Sequence, residues 1–252
     1  MKNNSLKKTS YQIYGINNCL NFLSYKNNYT IKKITIDKNS KINQNIKLLE
    51  LIDSKDVLIN FLDHKNFNQA YNYKHAQGIV LEFEGNLYTD INDLDFTASN
   101  ICIIIADQLN DPQNLGQILR TCECAGVDGI ILPKHNSIHL TDSVLQVSQG
   151  AFNHVNVCIE TNLKSAIDYL KSKGFWIIGL ENSIESEQWY NMDYKGKVGI
   201  VIGSEGSGIR KLIKNSCDFL TTIDMKGEIN SLNVTAATSA ILFERQRQLA
   251  TK

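Results

Sequence analysis

The spacing of apolar residues divides the chain into two stretches of different character. In the first, the signals are short and mixed. Apolar residues recur at helical spacing in IYGINNCLNFL (13–23) and NIKLLELI (45–52), while ITI (34–36) and QGIVLEF (77–83) read as strands. The following EGNLYTDINDLDFTASN (84–100) is polar and acidic. This pattern predicts a polar, disordered tail over 1–10, a small α/β domain over 11–83 and a linker over 84–99.

The second stretch, residues 100–252, opens with ICIIIA (101–106), a continuous β-branched run of the kind that parallel strands covered on both faces carry. Further strands are predicted at 129–132, 154–159, 175–180, 198–203 and 219–223. Helices are predicted between most of them: 115–125 closed by Gly126, 163–173 closed by Gly174, 209–216, and a last one from about Val234. Strand and helix alternating in this way predict an open, parallel α/β sheet with ligands at the carboxyl ends of its strands.

With 42% hydrophobic and 21% charged residues in 252, the composition is that of a globular protein. No apolar run is long enough to span a bilayer, and the start MKNNSLKKTS lacks the apolar core of a signal peptide. Six cysteines form no CxxC pair and fall mostly in apolar runs, which fits buried, reduced thiols and a cytoplasmic location. The formal charge is zero, but unevenly spread. Residues 1–47 hold nine Lys and one acid, and residues 48–99 hold three Lys and nine acids. The basic segment is either a contact for a polyanion or a solvated lysine face.

Candidate chemistry gathers just after three strands. In DQLNDPQNLGQILR (107–120), Asn114 and Arg120 are six residues apart on one predicted helix, and Arg120 is the only arginine among the first 209 residues. On position alone it could equally be a surface arginine. GSEGSG (203–208) follows a hydrophobic strand, and its glycines allow a backbone to approach a ligand closely. Its GxxGxG spacing is not the dinucleotide fingerprint, although Asp224, about 20 residues on, stands where a ribose-binding acid could sit. In IDMKGEINSLNV (223–234), Ser231 and Asn233 precede a run of small residues that is otherwise a packing face or a helix cap. His135 and His139 lie in a loop without further metal ligands, so no metal site is expected.

Taken together, N-x5-R (Asn114–Arg120), the GSEGSG loop with Glu205, and M-x-G-x3-SLNV ending at Val234 closely resemble the SpoU (TrmH-type) family of RNA 2′-O-ribose methyltransferases over about residues 100–250. YG at 14–15 and HAQGIV at 75–80 resemble the small ribosomal-protein-like RNA-binding domain that precedes the catalytic domain in many members. The two-domain form is most similar to members that methylate a guanosine in the peptidyl-transferase loop of bacterial large-subunit rRNA. Substrate tRNA, or a catalytically silent assembly factor of the same fold, are the alternatives.

The resemblance implies a parallel-sheet SPOUT catalytic domain with a C-terminal trefoil knot, a homodimer and no membrane partner. It implies S-adenosylmethionine as methyl donor, bound around Gly203, Ser204, Ile223, Met225 and Leu232. It further implies that Arg120 engages ribose and phosphate, that Asn114 orders its loop, and that Glu205 fixes Arg120 or the knot. Ser231 and Asn233 would hold the third motif and the substrate. Two positions depart from the family pattern: Asn136, where an arginine is common, and Asp224, where proline is common.

Overall fold

The computed structural model describes residues 9–25, 29–73, 75–182, 186–204 and 206–251. The chain divides into two compact units: residues 1–87 with 140–153, and residues 88–139 with 154–252.

The first unit is a four-stranded sheet in the order β1-β4-β2-β3, made of β1 (Thr9–Tyr14), β2 (Thr30–Asp37), β3 (Leu58–Leu62) and β4 (Ile79–Gly85). β4 runs antiparallel to both β1 and β2, and β3 parallel to β2. The apolar repeat at 13–23 resolves into the end of β1, Gly15 at φ 85°, and α1 (Ile16–Ser24). Glycine is suited to that left-handed turn because it has no Cβ to clash. α2 (Ile46–Asp53) is capped by the Asn45 side chain, which accepts from the Leu48 amide. Thr9 and Ser10 belong to β1 rather than to a tail, and residues 1–8 lie outside the described residues.

Four strands or α-helices of this unit were not predicted: β1, β3, α3 (His64–Ala70) and α5 (Asp142–Ser148). α5 packs on β1, where Asp142 accepts the Gln12 amide and Gln146 brackets Tyr14 through both its amide nitrogen and its oxygen. The core is aromatic, with Phe22, Phe83 and Phe152 stacked or tilted against one another. The basic and acidic segments of the sequence meet here: Lys32 and Lys33 on β2 pair with Glu84 and Glu82 on β4. That pairing neutralises part of the lysine excess and leaves Lys38, Lys41 and Lys47 exposed.

The second unit is a seven-stranded sheet, parallel throughout, in the order β7-β6-β5-β10-β8-β11-β9. Its strands are β5 (Ile101–Ala106), β6 (Gly129–Pro133), β7 (Asn156–Glu160), β8 (Trp176–Leu180), β9 (Glu187–Gln188), β10 (Lys197–Ile202) and β11 (Phe219–Thr222). β5 is fully buried, as its unbroken apolar run requires. The helices are α4 (Pro112–Cys124), α6 (Leu163–Ser172), α7 (Lys211–Lys214) and α8 (Val234–Ala250). α4 begins as its sequence dictates: Pro112 occupies the first turn and Asp111 caps it, accepting from the Gln113 amide. Part of the stretch 84–99 carries structure of its own, since Ile91 is buried in this unit's core and Leu94 and Phe96 pack against it. Burial drives the thiols of Cys102, Cys158 and Cys217 up to about 12 and that of Cys122 well above its usual value, so these four are neutral at pH 7. Cys124 is exposed.

Candidate active site

The sheet order brings the three motifs to one end. β10 lies between β5 and β8, and β11 lies on the far side of β8, so the carboxyl ends of β5, β8, β10 and β11 are neighbours. An open cleft forms there. Leu180 and Glu181 line it from the end of β8, Ile202 to Ser204 and Gly208 from the loop after β10, and Thr222, Ile223 and Met225 after β11. Ser231, Leu232, Val234 and Ala237 close it from the start of α8. All five residues that the resemblance implies for the donor (Gly203, Ser204, Ile223, Met225 and Leu232) therefore line one cavity, with Ser231 beside them. A second cavity, lined by Asn110, Asp111, Asn114 and Ser207, shares Ser204 with the first.

The glycine loop folds back on itself. Ser204 and Gly208 exchange amide hydrogen bonds at 3.2 and 2.9 Å, with Gly208 at φ 64°. A Cβ at Gly203 would overlap the main chain of Gly208 and Ile209, so glycine is needed there for the loop to close. This requirement within the loop adds to the ligand-facing reason expected from the sequence, since Gly203 also lines the cleft.

The loop is pinned at its far end by an ion pair that sequence reasoning missed. Asp107, wholly buried after β5, accepts the Arg210 amide at 2.9 Å and Nε at 2.8 Å, and lies 2.7 Å from Arg210 Nη2. Arg210→Ala would leave a buried carboxylate without its partner. It should lower unfolding free energy by about 2–4 kcal/mol, a figure reduced for the half-exposed arginine and checked by urea denaturation.

Asn114 ties the first motif to the third. It is buried, and its Oδ1 accepts from Asn233 Nδ2 at 3.1 Å and from Thr235 Oγ1 at 3.2 Å. Asn233 Oδ1 in turn caps α8 by accepting the Thr235 amide at 2.8 Å. The small residues of α8 also form a packing face, with Thr121 of α4 and Ser239 joined through their hydroxyls at 3.3 Å.

Arg120 is not brought to either cavity. It lies exposed on α4, without an ion pair or hydrogen bond among the described residues. Glu205 lies outside the described residues.

The two departures acquire physical explanations. Asp224 does not line the cleft that Ile223 and Met225 line; its carboxylate accepts from Gln188 Nε2 at 2.6 Å and pairs with Lys226 at 3.2 Å. Those contacts, the Gln188 hydrogen bond first, hold its pKa below the usual carboxylate range. Turned that way, Asp224 is not the ribose acid of a dinucleotide fold, and the observed strand order is not the Rossmann order either. Asn136 sits at φ 56°, a conformation that asparagine tolerates better than most residues. His139 bonds the Pro133 carbonyl at 3.1 Å, and no group of three or more metal-ligating side chains occurs among the described residues.

The sequence matches the SpoU rRNA Methylase family over residues 101–243 and the RNA 2′-O ribose methyltransferase substrate-binding family over residues 12–89. The chain belongs to the SpoU rRNA methylase family. A relative in Staphylococcus saprophyticus, assigned to the TrmH family of tRNA/rRNA methyltransferases, is 37% identical over 86% of this chain and 88% of its own. Another in Bacillus subtilis, with the same assignment, is 33% identical over 88% and 90%.

Among solved structures, an AdoMet-bound rRNA methyltransferase from Sinorhizobium meliloti aligns with a TM-score of 0.81 at 22% identity, covering 96% of this chain and 88% of that one. The SpoU methyltransferase AviRb from Streptomyces viridochromogenes, in complex with AdoMet, gives 0.81 at 17%, covering 96% and 91%. At these identities the likeness concerns the fold. The chain is thus an RNA methyltransferase of the SpoU family by its sequence, on the parallel α/β fold that its solved neighbours share. No helix among the described residues is long and apolar enough to cross a membrane.

Leu180, Glu181, Asn182, Thr222 and Asn230 were not singled out in the sequence, yet they line the cleft. Only the general rule that ligands sit at strand carboxyl ends pointed toward Leu180 and Glu181.

Proposed function

We propose that the protein transfers a methyl group from S-adenosylmethionine to a ribose 2′-hydroxyl of structured RNA, a guanosine of large-subunit rRNA being the target. The observation that carries this reading is the convergence of Gly203, Ser204, Ile223, Met225, Ser231 and Leu232 on one cleft that shares Ser204 with a second, polar cavity. The cleft's residues fit the donor: Leu180, Ile202, Ile223 and Val234 offer apolar walls for a planar base, and Ser204, Thr222 and Ser231 offer hydroxyls. When bound, S-adenosylmethionine supplies an activated methyl group whose departure needs no metal. The chain's task is to place the RNA hydroxyl in line with that methyl group, and orientation of this kind is worth several kcal/mol of barrier.

In this reading the second cavity, with Asn110, Asp111 and Ser207, receives the target ribose, and Asn114 and Asn233 hold the two motifs in register. Arg120, exposed and without an ion pair among the described residues, engages ribose and phosphate from the partner subunit of a homodimer. Its guanidinium, a planar fork of N–H donors with no acceptor, suits charge stabilisation rather than proton removal. The order β5-β10-β8-β11 fits a C-terminal segment threaded as a trefoil knot. We place the catalytic domain in the unit of residues 88–139 with 154–252 and the RNA-binding domain in the unit of residues 1–87 with 140–153. Exposed Lys38, Lys41 and Lys47, and the Tyr14–Tyr73 stack at 4.3 Å between centroids, supply the latter's attraction for RNA.

The test maps stops to alkaline cleavage across rRNA and tRNA from cells with and without the gene, since a methylated 2′-oxygen cannot attack the neighbouring phosphate. One stop lost from large-subunit rRNA is the expected result. A stop lost only from tRNA would move the substrate. No lost stop anywhere would favour an assembly factor.

A further inference from the structure

Glu181 stands where β8 ends, and its side chain is about one-fifth exposed (21%). Its amide donates to the Thr221 carbonyl at 2.9 Å, which fixes the main chain beside β11. The carboxylate lies against the end of the glycine loop, where Oε2 accepts the Ile209 amide at 3.3 Å and faces Gly208. Lys214 Nζ is 3.8 Å from Oε1, a long and solvent-shared pair that offsets only part of the carboxylate's field. Among the described residues that line the cleft, Glu181 alone has an ionisable side chain; the rest are apolar, hydroxyl, amide or glycine. Among those described residues the cleft wall carries a single formal charge, and it is negative.

The proposed reaction changes one charge of the ligand, that of the sulfonium, and leaves its amino and carboxylate groups as they were. Transfer breaks the bond from sulfur to methyl, the sulfur keeps the electron pair, a carbon–oxygen bond forms at the ribose, and the hydroxyl proton passes to water. The spent product is a neutral thioether that keeps the adenosine, amino and carboxylate groups of the donor. A fixed carboxylate on the cleft wall attracts a sulfonium and has no such hold on the thioether.

We propose that Glu181 sets the cleft's preference for the positively charged methyl donor over its neutral product, so that product yields to fresh donor after each transfer. The proposal rests on the donor reading above and assigns one residue's part in it.

Calorimetric titration of the full chain with S-adenosylmethionine and with S-adenosylhomocysteine tests it. The two ligands share every group except the charged methylsulfonium, so the ratio of their Kd values isolates the charge from all other contacts. Glu181→Gln keeps an oxygen able to accept the Ile209 amide and removes only the charge. It should weaken S-adenosylmethionine binding on the order of tenfold while leaving S-adenosylhomocysteine within about twofold, as expected for one unit charge acting at a half-screened site. Glu181→Asp, which retains the charge, should keep most of the parent ratio. An unchanged ratio in Glu181→Gln would overturn the proposal, whether both ligands bind normally or both are lost together. In the second case Glu181 would be part of the wall's architecture. If the parent chain binds neither ligand, the donor reading itself fails, and this inference with it.

Discussion

Arg120→Ala should cut single-turnover methylation by roughly 10³-fold, the range seen when a group that orients substrate or stabilises developing charge is removed. Affinity for S-adenosylmethionine should change less than about twofold, because Arg120 is exposed on α4 and lines neither cavity. Stability should stay within about 0.5 kcal/mol, as for other exposed substitutions that break no contact. Rapid-quench assays on the identified RNA and calorimetry on the donor separate the two quantities. The arginine's distance from the cleft makes a second expectation. Mixing Arg120→Ala chains with chains that cannot bind the donor should restore part of the activity through hybrid dimers, each pairing one intact cleft with one intact arginine. No recovery in verified hybrids would place Arg120's action within its own subunit, and a near-normal rate in the single variant would reduce it to a surface residue.

Gly203→Ala should abolish measurable donor binding, even though a single methyl group is added. The added Cβ has nowhere to go: it would overlap the main chain of Gly208 and Ile209, which cannot rotate aside as a side chain can. The Ser204–Gly208 bridge would open and the cleft would lose the wall made by both residues. Overpacking of backbone in this way costs about 1–3 kcal/mol, readable by thermal unfolding. Gly206→Ala is the matched control. A Cβ there meets nothing within 4 Å, so donor affinity and stability should remain near those of the parent. Equal loss in both variants would mean that the loop needs glycine flexibility in general rather than a close approach at Gly203. Full binding by Gly203→Ala would show that the loop does not shape the donor cleft.

Much of the catalytic unit was legible in the chain because its signals are local. An unbroken β-branched run such as Ile101–Ala106 has no stable place except a strand buried on both faces. Asp111-Pro112 starts a helix wherever it is followed by helix formers, and Gly126, at φ 60°, lies just beyond its end. The three motif segments were visible too, each just after a strand, but each alone also allowed a plainer reading and only together did they carry the resemblance. β3, α3 and α5 were not readable. Each is five to seven residues long, too short for a period to establish itself, and each is stabilised by partners elsewhere: β3 by β2, and α5 by a β1 that lies about 130 residues earlier.

What only the tertiary structure decided is who stands next to whom. Strand order in a parallel sheet is set by packing between distant segments, and no local pattern encodes it. The insertion of β10 between β5 and β8 is what lays Asp107 against Arg210 across 103 residues and brings Glu181 to the glycine loop. The same assembly joins Asn114 to Asn233 across 119 residues, which makes the residue that caps α8 a link between motifs as well. Conversely, Asp224 stood where a ribose-binding acid could sit, and Gly203 read as a point of ligand approach. The fold turned the first toward Gln188, a neighbour brought from another strand, and gave the second an added reason to be glycine, the close approach of Gly208 and Ile209 within its own loop.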